Sequence, residues 1–340
     1  MSIPNWNTFL SQTKRSQAWR ARGRPAPEAT QGDGVNLQQI RAFCALVEND
    51  MNVSRTALAL YTSQSAVSKQ IAQLEERLGT ALLIRSKSRI LALTEVGDQV
   101  LRCMRTMIAA TEDISNIVAD QQLKAQGRLA IATTHTHARY ALQDIVPEFC
   151  RRNPSVALCL IQATPLEIAD LVATGKVDIG LSTVPPVLPP SLAAIPCYEL
   201  NHVLVSKRGH PVLKDKRLTL ERIARYPLIT YSEQHAIGRH ITQAFDAAGL
   251  APKIAVQGTD VEIMKHYAAS GVGLAIIPVI AFSQSADRGL QAQSVDHLFP
   301  ISIVHVLARR GAYWPRHLYD FLGKLAPDLT PGALEEALIG

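Results

Sequence analysis

The chain has 340 residues, enough for more than one domain, and 47% of them are hydrophobic, so sizeable cores are available. A formal net charge of +6 suits a polyanionic partner. No apolar run approaches the ~20 residues of a membrane helix, and the start lacks the apolar stretch of a signal peptide. The five cysteines, Cys44, Cys103, Cys150, Cys159 and Cys197, show neither a Cys-x-x-Cys pair nor zinc-finger spacing, so reduced thiols in a cytoplasmic protein are expected.

Residues 1–34 stand apart. Lys14, Arg15, Arg20, Arg22 and Arg24 precede Pro25, Pro27, Gly32 and Gly34, which predicts a basic, poorly ordered extension. A flexible tail is the plainer reading, and a non-specific electrostatic contact with nucleic acid is the other.

From residue 35 the pattern turns helical. Leu37, Ile40, Phe43 and Val47 form one stripe. Asn52 suits the N-cap of a middle helix that buries Val53, Ala57 and Leu60, and Ser63 suits the cap of a third. In that third helix Val67, Ile71, Leu74 and Leu78 recur at i, i+4, i+7 and i+11. Its other face offers Gln64, Ser65, Ser68, Lys69 and Gln73, with Thr62 and Ser63 at its mouth. Glutamine pairs with an adenine edge, lysine with guanine or phosphate, and serine with either. Two short helices and a tight turn, the second polar on its free face, predict a helix-turn-helix that enters a DNA groove. The basic run Arg85, Lys87, Arg89 lies between apolar segments 82–84 and 90–93, as in a two-stranded wing whose cations meet phosphates. The DNA-binding domain is therefore 35–93.

Thr94 suits the cap of a long helix, 94–126. Val96, Val100, Met104, Met107, Ile108, Ile114, Ile117 and Val118 recur near heptad spacing, and a seam through Val100, Met104 and Ile108 predicts pairing of two chains. Packing against its own domain is the alternative. Beyond Gly127 the period shortens. Strands are expected at 128–133, 156–162 and 178–182, with helices at 138–151 and 165–174 between them. Pro185, Pro186, Pro189 and Pro190 interrupt this set, and a second follows: 201–206, 228–230, 238–248, 254–257, 261–270 and 274–278, then a strand at 301–308 and a helix at 318–325. Alternating β and α predicts largely parallel sheets in two lobes, 127–196 with 300–330 and 197–299, with crossings near 195–198 and 297–301.

Ligands in open α/β sheets bind beyond the carboxyl ends of strands, where helix N-termini offer free N–H groups. Thr133, Thr134, His135, Thr136 and His137 stand at such an end, Thr164 and Pro165 at the next and Thr183 at the third; Thr230, Tyr231, Gly238 and Arg239 can supply a facing wall. A lone threonine there is usually a helix cap, whereas threonines at successive strand ends predict a cleft for a small anion.

The segments SQSAVSKQI, LEERLG, the Arg85-Ser86 pair and LTEVG resemble the DNA-binding domain of LysR-type transcriptional regulators in order and spacing. The phrases NVSRTA, LYTSQ and ATTHTHARYAL, the stretch ending at Thr183, and HLF at residues 297–299 bring the chain nearest to the CysB-type branch, which controls sulfur assimilation. The resemblance spans about Val35 to Asp328, and the extension 1–34 departs from it. It implies an α+β multidomain chain: an N-terminal winged helix-turn-helix, a long linker helix, and a C-terminal two-lobed α/β effector domain of the periplasmic-binding-protein type at 127–330. It implies a regulator rather than an enzyme, pairing through the linker helix, a tetramer joined through effector domains, and contact with double-stranded DNA and RNA polymerase. No cofactor is implied. In that branch the residues matching Thr134, Thr136 and Thr183 hold sulfate or a related effector.

Two departures bear on specificity. His137 stands where the branch has Gln, and Ile237 where it has Thr before Gly238-Arg239, in a loop one residue longer. An anion larger than sulfate, sulfur-containing or carboxylate-bearing, is expected; a non-sulfur carboxylate or aromatic effector is the alternative. Two rival classes are weaker. Catalysis would fall to His135, His137, Ser182 and Asp178, but no nucleophile elbow or phosphate loop follows a strand. A metal-responsive site would use His135 and His137, with His235 or His240, on a weak His-x-His motif.

Overall fold

The computed structural model describes residues 34–86, 89–121, 127–214 and 216–327, with 330, 332, 334, 336 and 338 beyond them. The expected order of the basic extension up to residue 33, and the placement of Lys87, lie outside the described residues.

The head contains α1 (Leu37–Glu48), α2 (Val53–Ala59) and α3 (Gln64–Leu78). Each begins where the sequence offers a cap. Asn36 and Gln39 exchange side-chain and backbone bonds in a capping box, Asn52 Oδ1 accepts from Arg55 N at 3.0 Å, and Ser63 Oγ accepts from Ala66 N at 3.2 Å. Gly79 ends α3 in the left-handed region. Ile40, Phe43, Leu46, Ala57, Val67, Ile71 and Leu74 meet in one core. The antiparallel hairpin of β1 (Leu83–Ser86) and β2 (Arg89–Leu93) is the expected wing.

The linker helix α4 (Glu95–Gln121) starts at Thr94, whose Oγ1 accepts from Gly97 N at 2.9 Å. Gly97 lies against the chain before the wing. A Cβ there would stand 2.1 Å from the Leu82 carbonyl oxygen, so no other residue fits. The expected dimer seam is corrected here. Val100, Leu101, Met104 and Ile108 pack into the core of their own head, under α1, with Met104 only 4% exposed. The uncovered apolar stripe is Val96, Cys103, Met107, Ala110, Ile114 and Ile117, spaced 7, 4, 3, 4 and 3, with Met107 51% and Ile114 63% exposed. Two interleaved stripes share one helix, and spacing alone does not tell which one α1 covers.

Lobe I is a five-stranded sheet in the order β4-β3-β5-β12-β6, with β3 (Gly127–Thr133), β4 (Val156–Gln162), β5 (Ile179–Thr183), β6 (Leu192–Leu200) and β12 (Ser302–Arg309). Strands β3, β4 and β5 are parallel; β12 runs antiparallel to β5 and β6. Helices α5 (Ile145–Arg152), α6 (Pro165–Ala173) and α10 (Arg316–Leu325) pack its two apolar faces. Lobe II repeats the plan as β11-β7-β10-β8-β9, built from β7 (His202–Lys207), β8 (Leu228–Tyr231), β9 (Ile254–Gly258), β10 (Leu274–Pro278) and β11 (Leu290–Ser294). Its helices are α7 (Leu220–Ile223), α8 (Ala236–Ala247) and α9 (Val261–Ala269).

Two expectations shift. The segment 195–198 is not a crossing but part of β6, which pairs with β12 as far as Leu200, so residues 197–200 belong to lobe I and the chain crosses at Asn201. Pro196 obscured the strand; β6 is an edge, where a missing N–H is tolerated. The helix expected at 138–151 is broken into a π turn, His137–Ala141, and α5. The π turn faces lobe II: Tyr140 hydrogen-bonds Glu262, and Arg139 Nε lies 3.6 Å from the same carboxylate.

The free stripe on α4 generates a test. Met107→Glu combined with Ile114→Glu is expected to convert the assembly to monomers in analytical ultracentrifugation while the melting of the head is kept, whereas Met104→Glu unfolds the head. Dimers surviving the double substitution would assign the contact elsewhere.

Candidate functional sites

On α3 the polar face is free. Thr62, Ser63, Gln64, Ser65, Ser68 and Lys69 are exposed and Gln73 is half-buried, while Val67, Ile71 and Leu74 hold the opposite face in the core. Ser63 Oγ also lies 3.0 Å from Ser65 Oγ, so the cap orders the first turn of the reading face. The wing cations divide. Arg89 is exposed, as a phosphate contact requires. Arg85 is instead engaged by Glu75 of α3, at 3.1 and 2.6 Å to its two oxygens. Glu75 Oε1 also accepts from Leu82 N at 2.8 Å and Leu83 N at 3.1 Å, so this carboxylate pins the wing to α3. Burial works against the charged carboxylate, but the bonds from Arg85, Leu82 and Leu83 outweigh it and hold Glu75 below the usual carboxylate range. Arg85 thus shapes the domain, a role that its place in a basic run does not reveal.

The effector-domain residues sort similarly. Thr133 Oγ1 donates to the Leu181 carbonyl at 3.0 Å and ties β3 to β5. Thr164 is the N-cap of α6 in a capping box with Glu167, the ordinary role of a threonine at a strand-to-helix turn. Thr183, half-buried, ends β5. The remaining positions converge between the lobes. Thr134 is buried and its Oγ1 accepts a long 3.5 Å bond from His137 N. Thr136 Oγ1 lies 3.3 Å from Tyr231 Oη, a direct contact across the cleft. His137 is buried with Nδ1 2.9 Å from Tyr198 Oη. Arg239 reaches back from lobe II, donating to the Glu233 carbonyl at 2.9 Å and, across the cleft, to Val184 O at 3.4 Å.

Lobe II offers unmet hydrogen-bonding capacity. Thr230 is 4% exposed and His235 8%, and neither Thr230 Oγ1 nor His235 Nδ1 has a partner. His235 occupies the N-cap of the 12-residue α8 without capping it through its side chain. Gly238 lets that helix start lie on the preceding turn: a Cβ would be 2.1 Å from the Ser232 carbonyl oxygen. The resemblance set Ile237 at the cleft in place of a threonine, and the structure differs. Its side chain is buried in the core of lobe II, and His235 stands at the mouth of the helix. Tyr198 and His235 are the residues that sequence reasoning left out of the anion site; the first lies in a strand that was read as a crossing.

The rival constellations do not assemble. His135 Nδ1 meets Gln162 Oε1 at 3.1 Å and its Nε2 lies 3.5 Å from Asp260, while His137 turns to Tyr198, so the two rings of the His-x-His pair serve different partners. Asp178 accepts from Ala130 N at 2.7 Å, and Ser182 Oγ donates to the neighbouring Thr183 carbonyl. Both are structural bonds within lobe I.

Two outcomes follow for the head. Lys69→Ala is expected to lower DNA affinity, and Gln64→Ala to relax base preference by ~1–3 kcal/mol at one position if its contact is bidentate. Unchanged selectivity in both variants, measured by competition on randomised DNA, removes α3 from base reading. Arg85→Ala is expected to lower stability at pH 7 by about 1 kcal/mol or less after solvent screening. Because Glu75 is depressed in the fold, its contribution is present above the ordinary carboxylate range and lost as pH falls through the folded value, so the melting gap between wild type and Arg85→Ala closes below about pH 4. A gap that is constant from pH 7 to pH 3 contradicts the clamp.

Comparison with known proteins agrees with this architecture. Residues 37–98 match the model of the bacterial regulatory helix-turn-helix protein, lysR family, and residues 123–329 match the LysR substrate binding domain. The HTH-type transcriptional regulator SsuR of Burkholderia cenocepacia is 37% identical over 89% of this chain and all of its own length. CysB of the same organism is 36% identical, covering 90% of this chain and 98% of that one. Among solved structures, the cofactor-binding domain of the Cbl transcriptional regulator superposes with a TM-score of 0.60 at 32% identity, covering 63% of this chain and 94% of that domain. With both domain models matched across most of its length, the chain belongs to the LysR family of DNA-binding transcriptional regulators.

Proposed function

We propose that this regulator controls sulfur-assimilation or sulfur-source genes in response to a small anionic effector held between the lobes of its C-terminal domain. The observation that carries the reading is the closure of a hydroxyl-rich strand end, Thr134–Thr136, onto Tyr231, next to the partnerless Thr230 Oγ1 and His235 Nδ1. Buried polar atoms left without partners are costly, and a bound oxyanion gives them acceptors. Likeness to CysB and SsuR supports a sulfur-related ligand. The site offers hydrogen bonds from neutral groups, as suits sulfate or an organic sulfonate. The departures from the branch at His137, in place of an amide, and at Ile237, in place of a hydroxyl, favour a ligand larger than sulfate, and a carboxylate effector is the second reading. Pairing through the exposed stripe of α4 would place two heads on half-sites about one helical turn (~10 bp) or a multiple apart. Tetramers through the effector domains and contact with RNA polymerase complete the proposal.

Thermal shift against sulfate, thiosulfate, organosulfonates and small carboxylates tests the ligand class, since a ligand at a hundredfold excess over its Kd stabilises the bound state by ~2.7 kcal/mol. Thr136→Ala is expected to reduce that shift severalfold and to leave operator affinity without effector within about twofold, because one or two lost hydrogen bonds are worth ~0.5–1.5 kcal/mol each. Stabilisation by none of these anions, or an equal loss of DNA binding, counts against it.

A further inference from the structure

Two buried imidazoles stand on opposite walls of the cleft. His137 belongs to the π turn of lobe I and His235 to the mouth of α8 in lobe II. They are joined through the cross-lobe bond of Thr136 to Tyr231, whose ring lies 5.1 Å from that of His235. The surroundings hold few charges. The His137 ring meets Tyr198 of β6 and is influenced by His235, while its backbone N–H donates to the Thr134 hydroxyl; the His235 ring meets Tyr231 of β8 and is influenced by Arg239 of α8. Asp260 at the start of α9 is 3.5 Å from His135 and its charge also acts on Tyr231. Neither histidine has a carboxylate partner among the described residues.

We propose that His137 and His235 act as one cross-lobe pair that receives the oxyanion head of the effector and takes up a single proton as the ligand binds. This rests on the anion-site reading above and adds to it how the charge is met. In the unliganded cleft both rings are neutral: burial pushes each down to about 4, with His235 adding to the effect on His137 and Arg239 to that on His235. Burial alone penalises a lone imidazolium, but an anion placed between the rings converts that penalty into an ion pair. A sulfate or sulfonate head is the anion of a strong acid and carries no proton at neutral pH. The proton therefore comes from the solvent and goes onto one ring nitrogen. Mutual repulsion between the two rings keeps the second neutral, which leaves it free to donate or accept a hydrogen bond to the rest of the ligand. The orphaned Nδ1 of His235 is an atom available for that purpose.

The consequence is linkage. Anion affinity rises as pH falls, by up to about tenfold per pH unit where one full proton is taken up. Calorimetric titration of the full chain with sodium sulfate and with methanesulfonate tests it, in Tris, bis-Tris and imidazole, buffers that are not themselves oxyanions and that differ in ionisation heat. The expected result is a binding enthalpy that scales with buffer ionisation heat at a slope near one proton, and affinity that weakens from pH 6 to pH 8. His137→Gln and His235→Asn, checked for an unchanged melting temperature without anion, are expected to bring the slope towards zero and flatten the pH profile. Binding with zero slope in the unmodified protein, or a slope unchanged in both variants, overturns the imidazole pair while leaving the anion site in place. Binding of neither probe overturns both.

Discussion

The effector domain depends on the chain crossing between its lobes twice. It leaves lobe I after β6 and returns before β12, so the sheet of lobe I is not complete until both crossings have been made. Strand β12 fills the place between β5 and β6 only after all of lobe II has been formed. The lobes are thereby tied at two short links and otherwise meet through side chains. What holds them together at the cleft is a small set of polar contacts: Thr136 with Tyr231, Arg239 with the Val184 carbonyl, and the π turn with α9. Lys265, buried at the edge of this set, meets Glu262 at 2.9 Å, Asp287 at 3.1 Å and the Tyr140 hydroxyl at 3.2 Å. A contact surface that includes hydrogen bonds such as these is suited to being reset by a ligand, since a ligand can supply replacements for them.

Local chemistry made the head legible. Asn36, Asn52 and Ser63 each announce a helix start through a side chain that reaches only three residues, and the stripe Val67, Ile71, Leu74 has a single helical interpretation. The strand ends with Thr134, Thr136 and Thr183 were legible for the same reason: period and position locate them without knowledge of the rest. Features that depend on distant partners were not. Arg85 reads as a free cation beside Arg89 until Glu75, ten residues earlier, is placed against it. The two apolar stripes of α4 are distinguished only by where α1 lies, and the place of His235 at the mouth of α8 depends on how the loop before it folds. Tyr198 needed the pairing of β6 with β12, set by residues a hundred positions away.

The same division separates recognition from response. The reading residues Gln64, Ser65, Ser68 and Lys69 are exposed on the head, so substitutions there can change the DNA read without touching the cleft. In the cleft Thr136 is bonded to Tyr231 and His137 to Tyr198, so a change at one is felt by the next. Thr136 illustrates this: its hydroxyl is at once a candidate ligand donor and the partner of Tyr231.

The glycine at position 97 has a mechanical corollary. With α4 seated against the Leu82 carbonyl and Met104 inside the head core, the head does not swivel on its helix. Head and helix move as one lever arm. A helix of 27 residues is about 40 Å long at ~1.5 Å per residue. Tilting an arm of that length by roughly 5° carries its tip about 3.5 Å, close to the ~3.4 Å rise of one base pair. Changes of a few degrees at the effector end would therefore be amplified into a shift of one step along the DNA, which is enough to change the half-site spacing a pair of heads can span.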